Sequence, residues 1–169
     1  MSAGPAASLD IDELDVIAPG AFAAAVAPLF EGARGFLGRL ALARPFDAVD
    51  VMFDRAREIA HAMPPDEQLE LIDAHPRLGA APAAVSDLSR VEQASGADDA
   101  AVAAELDRLN AAYEARFGFR YCVFVAGRPR AALLPAFRAA LEADRGAEIQ
   151  RALDAVVDIA RARYATLTA

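Results

Sequence analysis

The amino-acid sequence predicts an all-α fold: a single-domain bundle of about seven to eight helices with one short extended segment near residues 120–126. Alanine is common in a chain that is 56% hydrophobic, and alanine favours helices over strands. Apolar residues recur at helical spacing between prolines and glycines through most of the chain. Only the stretch FRYCVFVAG, residues 119–127, has the β-branched and aromatic composition of a strand. A length of 169 residues fits one domain.

Residues 1–8 are predicted to form a flexible tail, and residues 9–169 one helical domain. The first predicted helix lies in APGAFAAAVAPLFEGA, and Gly32 and Gly35 interrupt it. The second lies in FLGRLALA and ends at ARPF, because the residue before Pro45 disfavours helical backbone. The third begins near Asp47, a candidate N-cap, and ends at HAMPP. Its predicted core stripe contains Val51, Met52, Arg55, Ile59 and Ala60.

The second half of the chain contains the remaining predicted helices. A fourth helix begins at Pro64-Pro65 and must end at His75-Pro76. After the loop RLGAAPAAVSD, a short helix is predicted in SDLSRVEQASG and a long one from about Asp98 to Arg116. Two closing helices occupy about residues 129–143 and 146–167. The extended stretch before them, residues 119–127, has no nearby strand partner, so its main-chain groups must bond elsewhere, and a ligand or loop groups beside one are the candidates.

Charge and composition exclude several classes of function. The net charge of -8 and the pI of about 4.7 argue against nucleic-acid or membrane partners. All 17 basic residues are arginine, which excludes a lysine Schiff base and a P-loop lysine. The single cysteine, Cys122, can form neither an intrachain disulfide nor a zinc site. With an acidic start and no long apolar run, a soluble cytoplasmic protein is expected.

The residues by themselves leave the candidate sites open. His75 is either a helix stop or a general acid, since a helix C-terminus favours the imidazolium. Ser89, Glu92 and Gln93 share one helix face and are either a recognition patch for urea-like groups or a solvated face. His61 is interpreted as a cap or surface residue. Two histidines without HExxH or a cysteine cluster predict no metal site, and any enzyme here should need no cofactor.

The order of the motifs is more informative than any one of them. HPRLG is followed by SxxEQ, then LNxxYxxRFGF with the apolar extended stretch, then two helices ending in IARARY. ARPF at Ala43–Phe46 and FE at Phe30-Glu31 fit the same pattern. Over roughly Pro19 to Leu167, this combination resembles the 2-oxo-4-hydroxy-4-carboxy-5-ureidoimidazoline (OHCU) decarboxylases of urate breakdown.

The resemblance implies an all-α homodimer that converts OHCU to CO2 and (S)-allantoin without a cofactor. Its catalytic positions fall on His75, the expected proton donor, and on Glu92, expected to hold the His75 ring or the ureido N–H groups. The substrate-binding positions that it implies are Pro76, Ser89, Gln93, Val123, Phe124, Val125, Ala126, Gly127 and Arg163. The C=N bond beside the substrate carboxylate can accept the electrons of the broken bond, so a lysine-free, metal-free site suffices for this chemistry.

Two alternatives to OHCU decarboxylation remain. One is a related decarboxylase that acts on another small ureido acid. The other is a catalytically silent helical interaction module, which loss of His75 or Glu92 would have favoured. Both residues are present.

Overall fold

The computed structural model describes residues 8–80, 87–88 and 100–169. The described helices are α1 (Ile11–Val16), α2 (Pro19–Val26), a 3-10 turn (Ala27–Phe30), α3 (Arg34–Leu42), α4 (Val49–Ala62), α5 (Pro65–Asp73), α6 (Ala100–Phe117), α7 (Arg130–Ala140) and α8 (Arg145–Leu167). No strand occurs within these residues, and the predicted all-α class is confirmed. The predicted tail, apart from Ser8, and most of the predicted short helix lie outside the described residues.

The N-terminal region contains a helix that the sequence interpretation missed. The carboxylate of Asp10 caps α1 by accepting hydrogen bonds from the N–H groups of Asp12 and Glu13. Leu14 on this helix is fully buried. At six residues, α1 is too short for helical periodicity to appear in its sequence.

Two predicted helix boundaries were wrong. The first predicted helix divides into α2 and the 3-10 turn, which ends where Glu31 and Gly32 adopt left-handed φ angles of 52° and 73°. Helix α4 begins at Val49 after Ala48, with no side-chain cap. Asp47 is instead in the left-handed region at φ 64°, and its N–H donates to Asp15. The buried residues of α4 are Met52, Phe53, Ala56 and Ala60, while Val51 is 44% exposed.

Helix α8, with 23 residues, forms the centre of the core. It packs against α4, α5 and the 3-10 turn, and Leu153, Val156 and Val157 on it are fully buried. Burying each such side chain contributes about 1.5–3 kcal/mol to folding. Helix α8 contacts both the 3-10 turn and α5, the helix that ends just before His75. It therefore fixes these two parts of the chain, which are distant in sequence, relative to each other.

An aromatic cluster carries the extended segment that follows α6. Gly118 at φ 80° ends that helix, in the left-handed conformation typical of a C′ glycine. The ring of Tyr113 on α6 contacts the rings of Phe119 and Tyr121, and Tyr121 stacks on Phe137 of α7 with centroids 3.8 Å apart. Buried aromatic pairs of this kind hold the segment against the bundle without a partner strand.

Among the described helices, none is sufficiently long and apolar to cross a bilayer.

Candidate functional site

A cavity of about 210 Å³ lies between the end of α5, the extended segment and the C-terminal half of α8. The residues that line it are His75, Pro76, Leu78, Tyr121, Cys122, Val123, Phe124, Val125, Ala126, Gly127, Ile159, Ala162 and Arg163. The wall is mostly apolar, and within this set the imidazole of His75 and the guanidinium of Arg163 are the basic side chains. Such a cavity suits a small, polar molecule held by a few directed contacts.

His75 stands where α5 stops. Its N–H still bonds to the carbonyl of Ile72, and Pro76 prevents the helix from continuing. The side chain is 4% exposed, and its Nδ1 lies 3.1 Å from the carbonyl oxygen of Leu71. A carbonyl can only accept, so Nδ1 carries the proton and Nε2 of the neutral ring presents a lone pair. Nε2 has no hydrogen-bond partner among the described residues.

At His75, burial outweighs the preference of a helix end for a protonated histidine. Burial, with the positive charge of Arg163, lowers the pKa of His75 from 6.5 to about 4. The bond to Leu71 and the charge of Glu31 act in the opposite direction and are weaker. The helix terminus is also partly satisfied, because Arg120 Nη1 donates to the carbonyls of Asp73 and His75 at 2.9 and 3.3 Å. In the free protein at neutral pH, His75 is therefore an uncharged base.

Arg163 places a buried positive charge beside the imidazole. Its side chain is 2% exposed, and Nη1 donates to the carbonyl of Pro28 at 2.9 Å. Nη2 bonds to Oε1 of Glu31 at 2.8 Å. Glu31 reaches this position because the chain reverses there through its left-handed backbone. In a protein with a net charge of -8, a guanidinium paired with Glu31 thus lines the cavity, where it can contribute charge-assisted hydrogen bonds to a small anionic ligand.

The extended segment forms one wall of the cavity. Its main-chain N–H groups at Val123, Phe124 and Val125 donate to no described group. The chain turns at Ala126 and Gly127, whose φ angles are 52° and 72°. A row of N–H donors without described acceptors, next to a cavity, can bind carbonyl or carboxylate oxygens.

Comparison with known proteins identifies the family. The family model described as OHCU decarboxylase matches residues 16–165. The chain belongs to the OHCU decarboxylase family. It is 28% identical over 160 residues to the 2-oxo-4-hydroxy-4-carboxy-5-ureidoimidazoline decarboxylase of Haloferax volcanii, covering 93% of this chain and 95% of that protein. It is 33% identical over 141 residues to the uric acid degradation bifunctional protein PucL of Bacillus subtilis; these are 82% of this chain but 28% of PucL.

Solved structures share the fold of this OHCU decarboxylase family member. A crystal structure of OHCU decarboxylase in the presence of (S)-allantoin superimposes with a TM-score of 0.69 at 24% identity, covering 83% of this chain and 94% of that one. A crystal structure of (S)-allantoin synthase gives a TM-score of 0.70 at 18% identity, over 94% of this chain and 54% of that one. At these identities, the similarity establishes the common fold.

The fold brings together most of the residues that the family resemblance indicated. The ones that line the cavity are His75, Pro76, Val123, Phe124, Val125, Ala126, Gly127 and Arg163. Ser89, Glu92 and Gln93 lie outside the described residues. The roles of all these residues remain predictions. Within the described residues, no group of three or more His, Cys, Asp or Glu side chains is arranged to hold a metal ion.

Several residues of the site carried no signal in the sequence. Apolar side chains such as Ile159 and Ala162 line the cavity although their spacing is that of ordinary core positions. Asn110, 1% exposed, donates to the carbonyl of Leu78 at 2.9 Å and so supports the loop after His75. The N–H of Arg120 donates to Asp73, and its guanidinium caps α5. A buried asparagine on an apolar helix face was the one available hint, because buried amides are hydrogen-bonded.

Proposed function

We propose that this chain catalyses the decarboxylation of OHCU to (S)-allantoin, a carboxy-lyase reaction of urate degradation. The observation that supports it most strongly is one small cavity holding a neutral imidazole, a buried guanidinium and a row of main-chain N–H groups, in a chain of this family. The substrate has a carboxylate, a ring C=N bond and several amide groups. Its charge suits Arg163, and its carbonyl oxygens suit the N–H groups of the wall.

The substrate supplies its own electron sink. When the bond to the carboxylate breaks, its electron pair forms a double bond to the neighbouring ring carbon, and the C=N nitrogen takes up a proton. The hydroxyl then loses its proton as it becomes the carbonyl of allantoin, and the neighbouring carbon gains one. The overall reaction releases CO2 and consumes one proton. The protein contributes orientation and controlled proton movement.

His75 performs the proton movement in this proposal. Because the ring is neutral and Nδ1–H is held by Leu71, the Nε2 lone pair accepts the proton of the substrate hydroxyl. The resulting imidazolium then donates that proton to one face of the adjacent carbon, which produces a single enantiomer. In this proposal, the proton-donor role that the family resemblance implies for His75 is the second half of a base-then-acid cycle.

 Arg163 holds the anionic end of the substrate beside this base. A positive charge there favours the bound carboxylate, and it also keeps the imidazole uncharged until the hydroxyl proton arrives.

The remaining predicted site residues complete the proposal. Glu92 orients the imidazole or the ureido N–H groups, while Ser89 and Gln93 bind the ring amides, as the family resemblance implies. Pro76 packs against the substrate from the end of α5. No cofactor takes part in the proposed reaction.

The experiment uses OHCU generated freshly from urate and follows the optical activity of the allantoin formed. The wild-type protein is expected to produce (S)-allantoin faster than the spontaneous reaction produces the racemate. His75→Ala should remain folded and lose this acceleration. His61→Ala is the matched control, because His61 lies on α4 and contacts Gln150 and Asp154 of α8, away from the cavity.

The outcomes separate the alternatives. A racemate formed at the uncatalysed rate by the wild-type protein contradicts the proposal and favours a silent interaction module. Turnover of a related ureido acid, without turnover of OHCU, favours the related decarboxylase. Full activity in His75→Ala would place the proton transfer on another residue.

We also propose that the protein is a cytoplasmic homodimer. Val16 and Leu42 are 81% and 82% exposed, and Arg44 bonds to the carbonyls of both Ile17 and Ala41, so the ends of α1 and α3 are neighbours. An exposed apolar pair at this place is suited to contact with a second copy. Sedimentation equilibrium of the wild type and of Leu42→Glu tests this: a monomer in both contradicts it.

A further inference from the structure

A buried charge cluster lies directly behind the cavity wall. Glu148, near the start of α8, is 3% exposed. Its Oε1 accepts a hydrogen bond from the hydroxyl of Tyr113 at 2.8 Å, and both of its oxygens accept from Arg151, with distances of 2.9–3.1 Å. An ion pair with a buried carboxylate is weak evidence of added stability, because removing the Glu148 charge from water is expensive. The cluster therefore calls for another explanation.

Arg151 connects this cluster to the wall. Its Nη1 donates to the carbonyl of Cys122 at 2.8 Å, and its guanidinium lies over the ring of Tyr121, 4.8 Å from the centroid. Both of these residues line the cavity, whereas Arg151 and Glu148 do not. Arg151 thus contacts two residues of the wall without lining the cavity itself.

The wall depends on side chains for its position. No strand pairs with it among the described residues. Arg128 donates to the carbonyls of Phe124 and Val125, which lie four and three residues before it, and these two bonds stabilise the local turn. Arg151 instead ties the wall to α8, the central helix of the core.

The positive charge of Arg151 is stable at neutral pH. Burial opposes the charge of Arg151, but the hydrogen bonds and the negative charge of Glu148 together raise its pKa. Burial and the bond to Glu148 raise the pKa of Tyr113 as well, so that its hydroxyl stays protonated. The guanidinium is therefore a permanent donor to the Cys122 carbonyl, in the planar fork geometry that lysine lacks.

We propose that Arg151, held by the buried carboxylate of Glu148, is a positioning residue that sets the wall at Tyr121 and Cys122 and thereby aligns the next three N–H groups with a bound ureido acid. The identity of that ligand rests on the proposed function. Arg151 itself does not touch the substrate. The wall that Arg151 positions binds the substrate and the transition state equally well. A change at Arg151 should therefore alter KM and leave kcat nearly unchanged.

The main test is Arg151→Met. We expect KM for OHCU to rise by about tenfold or more while kcat changes by less than about threefold, since a charged hydrogen bond behind the binding groups is lost. Arg57→Met is the matched control. The Arg57 side chain is 37% exposed against 35% for Arg151, and it also pairs with acidic residues of α8, Asp154 and Asp158, but it does not contact the wall. An unchanged KM in Arg151→Met, with a loss of stability like that of Arg57→Met, overturns the proposal.

A double-mutant cycle tests the link to Glu148. Glu148→Gln should raise KM in the same direction, and Arg151→Met should add little to it, because both changes release the same contact. Additive effects on KM would show that Glu148 does not act through Arg151 and would overturn that part of the proposal. Arg151→Lys should give an intermediate KM, because one ammonium group cannot reproduce the fork between Glu148 and the Cys122 carbonyl.

A measurement without substrate separates this inference from the proposed function. Chymotrypsin cleavage after Tyr121 or Phe124 should be faster in Arg151→Met than in the wild type and in Arg57→Met, because a released wall opens more often. Faster cleavage with no OHCU turnover by the wild type would support the positioning role and contradict the proposed reaction. Turnover by the wild type with equal cleavage in all three proteins would overturn the positioning role alone.

Discussion

The neutral state of His75 predicts how stability depends on pH. In the folded protein the pKa of this residue is lowered from 6.5 to about 4 by burial and by Arg163, whereas the unfolded chain keeps the ordinary value. As the pH falls through 6.5, His75 therefore becomes protonated in the unfolded state, whereas in the folded state it stays neutral until about pH 4. The contribution of His75 to the free energy of unfolding decreases across this window and is constant below it.

The magnitude follows from the difference between the two pKa values. Each pKa unit corresponds to about 1.4 kcal/mol, so lowering from 6.5 to about 4 gives about 3 kcal/mol. We expect the free energy of unfolding of the wild type, minus that of His75→Gln, to fall by about 3 kcal/mol between pH 7.5 and pH 4. Taking the difference removes the titration of the carboxylates, because both proteins share them.

Urea unfolding at several pH values measures this difference. His61→Gln is the control for loss of a histidine outside the cavity, since His61 is partly exposed and lies on α4. A wild-type minus His75→Gln difference that is the same at pH 7.5 and at pH 4 would refute the reasoning. A difference that increases as the pH falls would mean that the folded protein favours the imidazolium.

Three further substitutions test the core, a helix cap and the cavity cation. Leu153→Ala should lower the free energy of unfolding in urea by about 2–5 kcal/mol, because a fully buried side chain is removed; an effect as small as that of Leu167→Ala, at a half-exposed position, would contradict this. Asp144→Ala should lower it by about 1 kcal/mol through loss of the cap to the Ala147 N–H, which thermal unfolding can measure. Arg163→Lys should raise KM for OHCU by about tenfold or more, since lysine cannot bond to Glu31 and the Pro28 carbonyl in the same geometry; unchanged kinetics would exclude Arg163 from binding.

The sequence was sufficient for the family and for most helices. The predicted all-α class and OHCU decarboxylase family are confirmed. The family could be predicted because its motifs occur in a fixed order over nearly the whole chain. The helix stop at His75-Pro76 was also predicted, since proline restricts the backbone of the residue before it. The short helix α1 and the start of α4 were missed, because six residues carry little periodicity and Asp47 is engaged by Asp15 from another part of the chain.

The tertiary structure decided the chemistry available to the residues that the sequence had indicated. Helix-end reasoning favoured a charged His75, but burial and the Arg163 charge reverse that preference. Arg151 is one of 17 arginines in the sequence, and only its contacts with Glu148 and the Cys122 carbonyl distinguish it. Local backbone preferences depend on adjacent residues, so a sequence indicates where many helices begin and end. A pKa and a binding wall depend on which distant charges folding places within a few ångströms, and no local pattern encodes that distance.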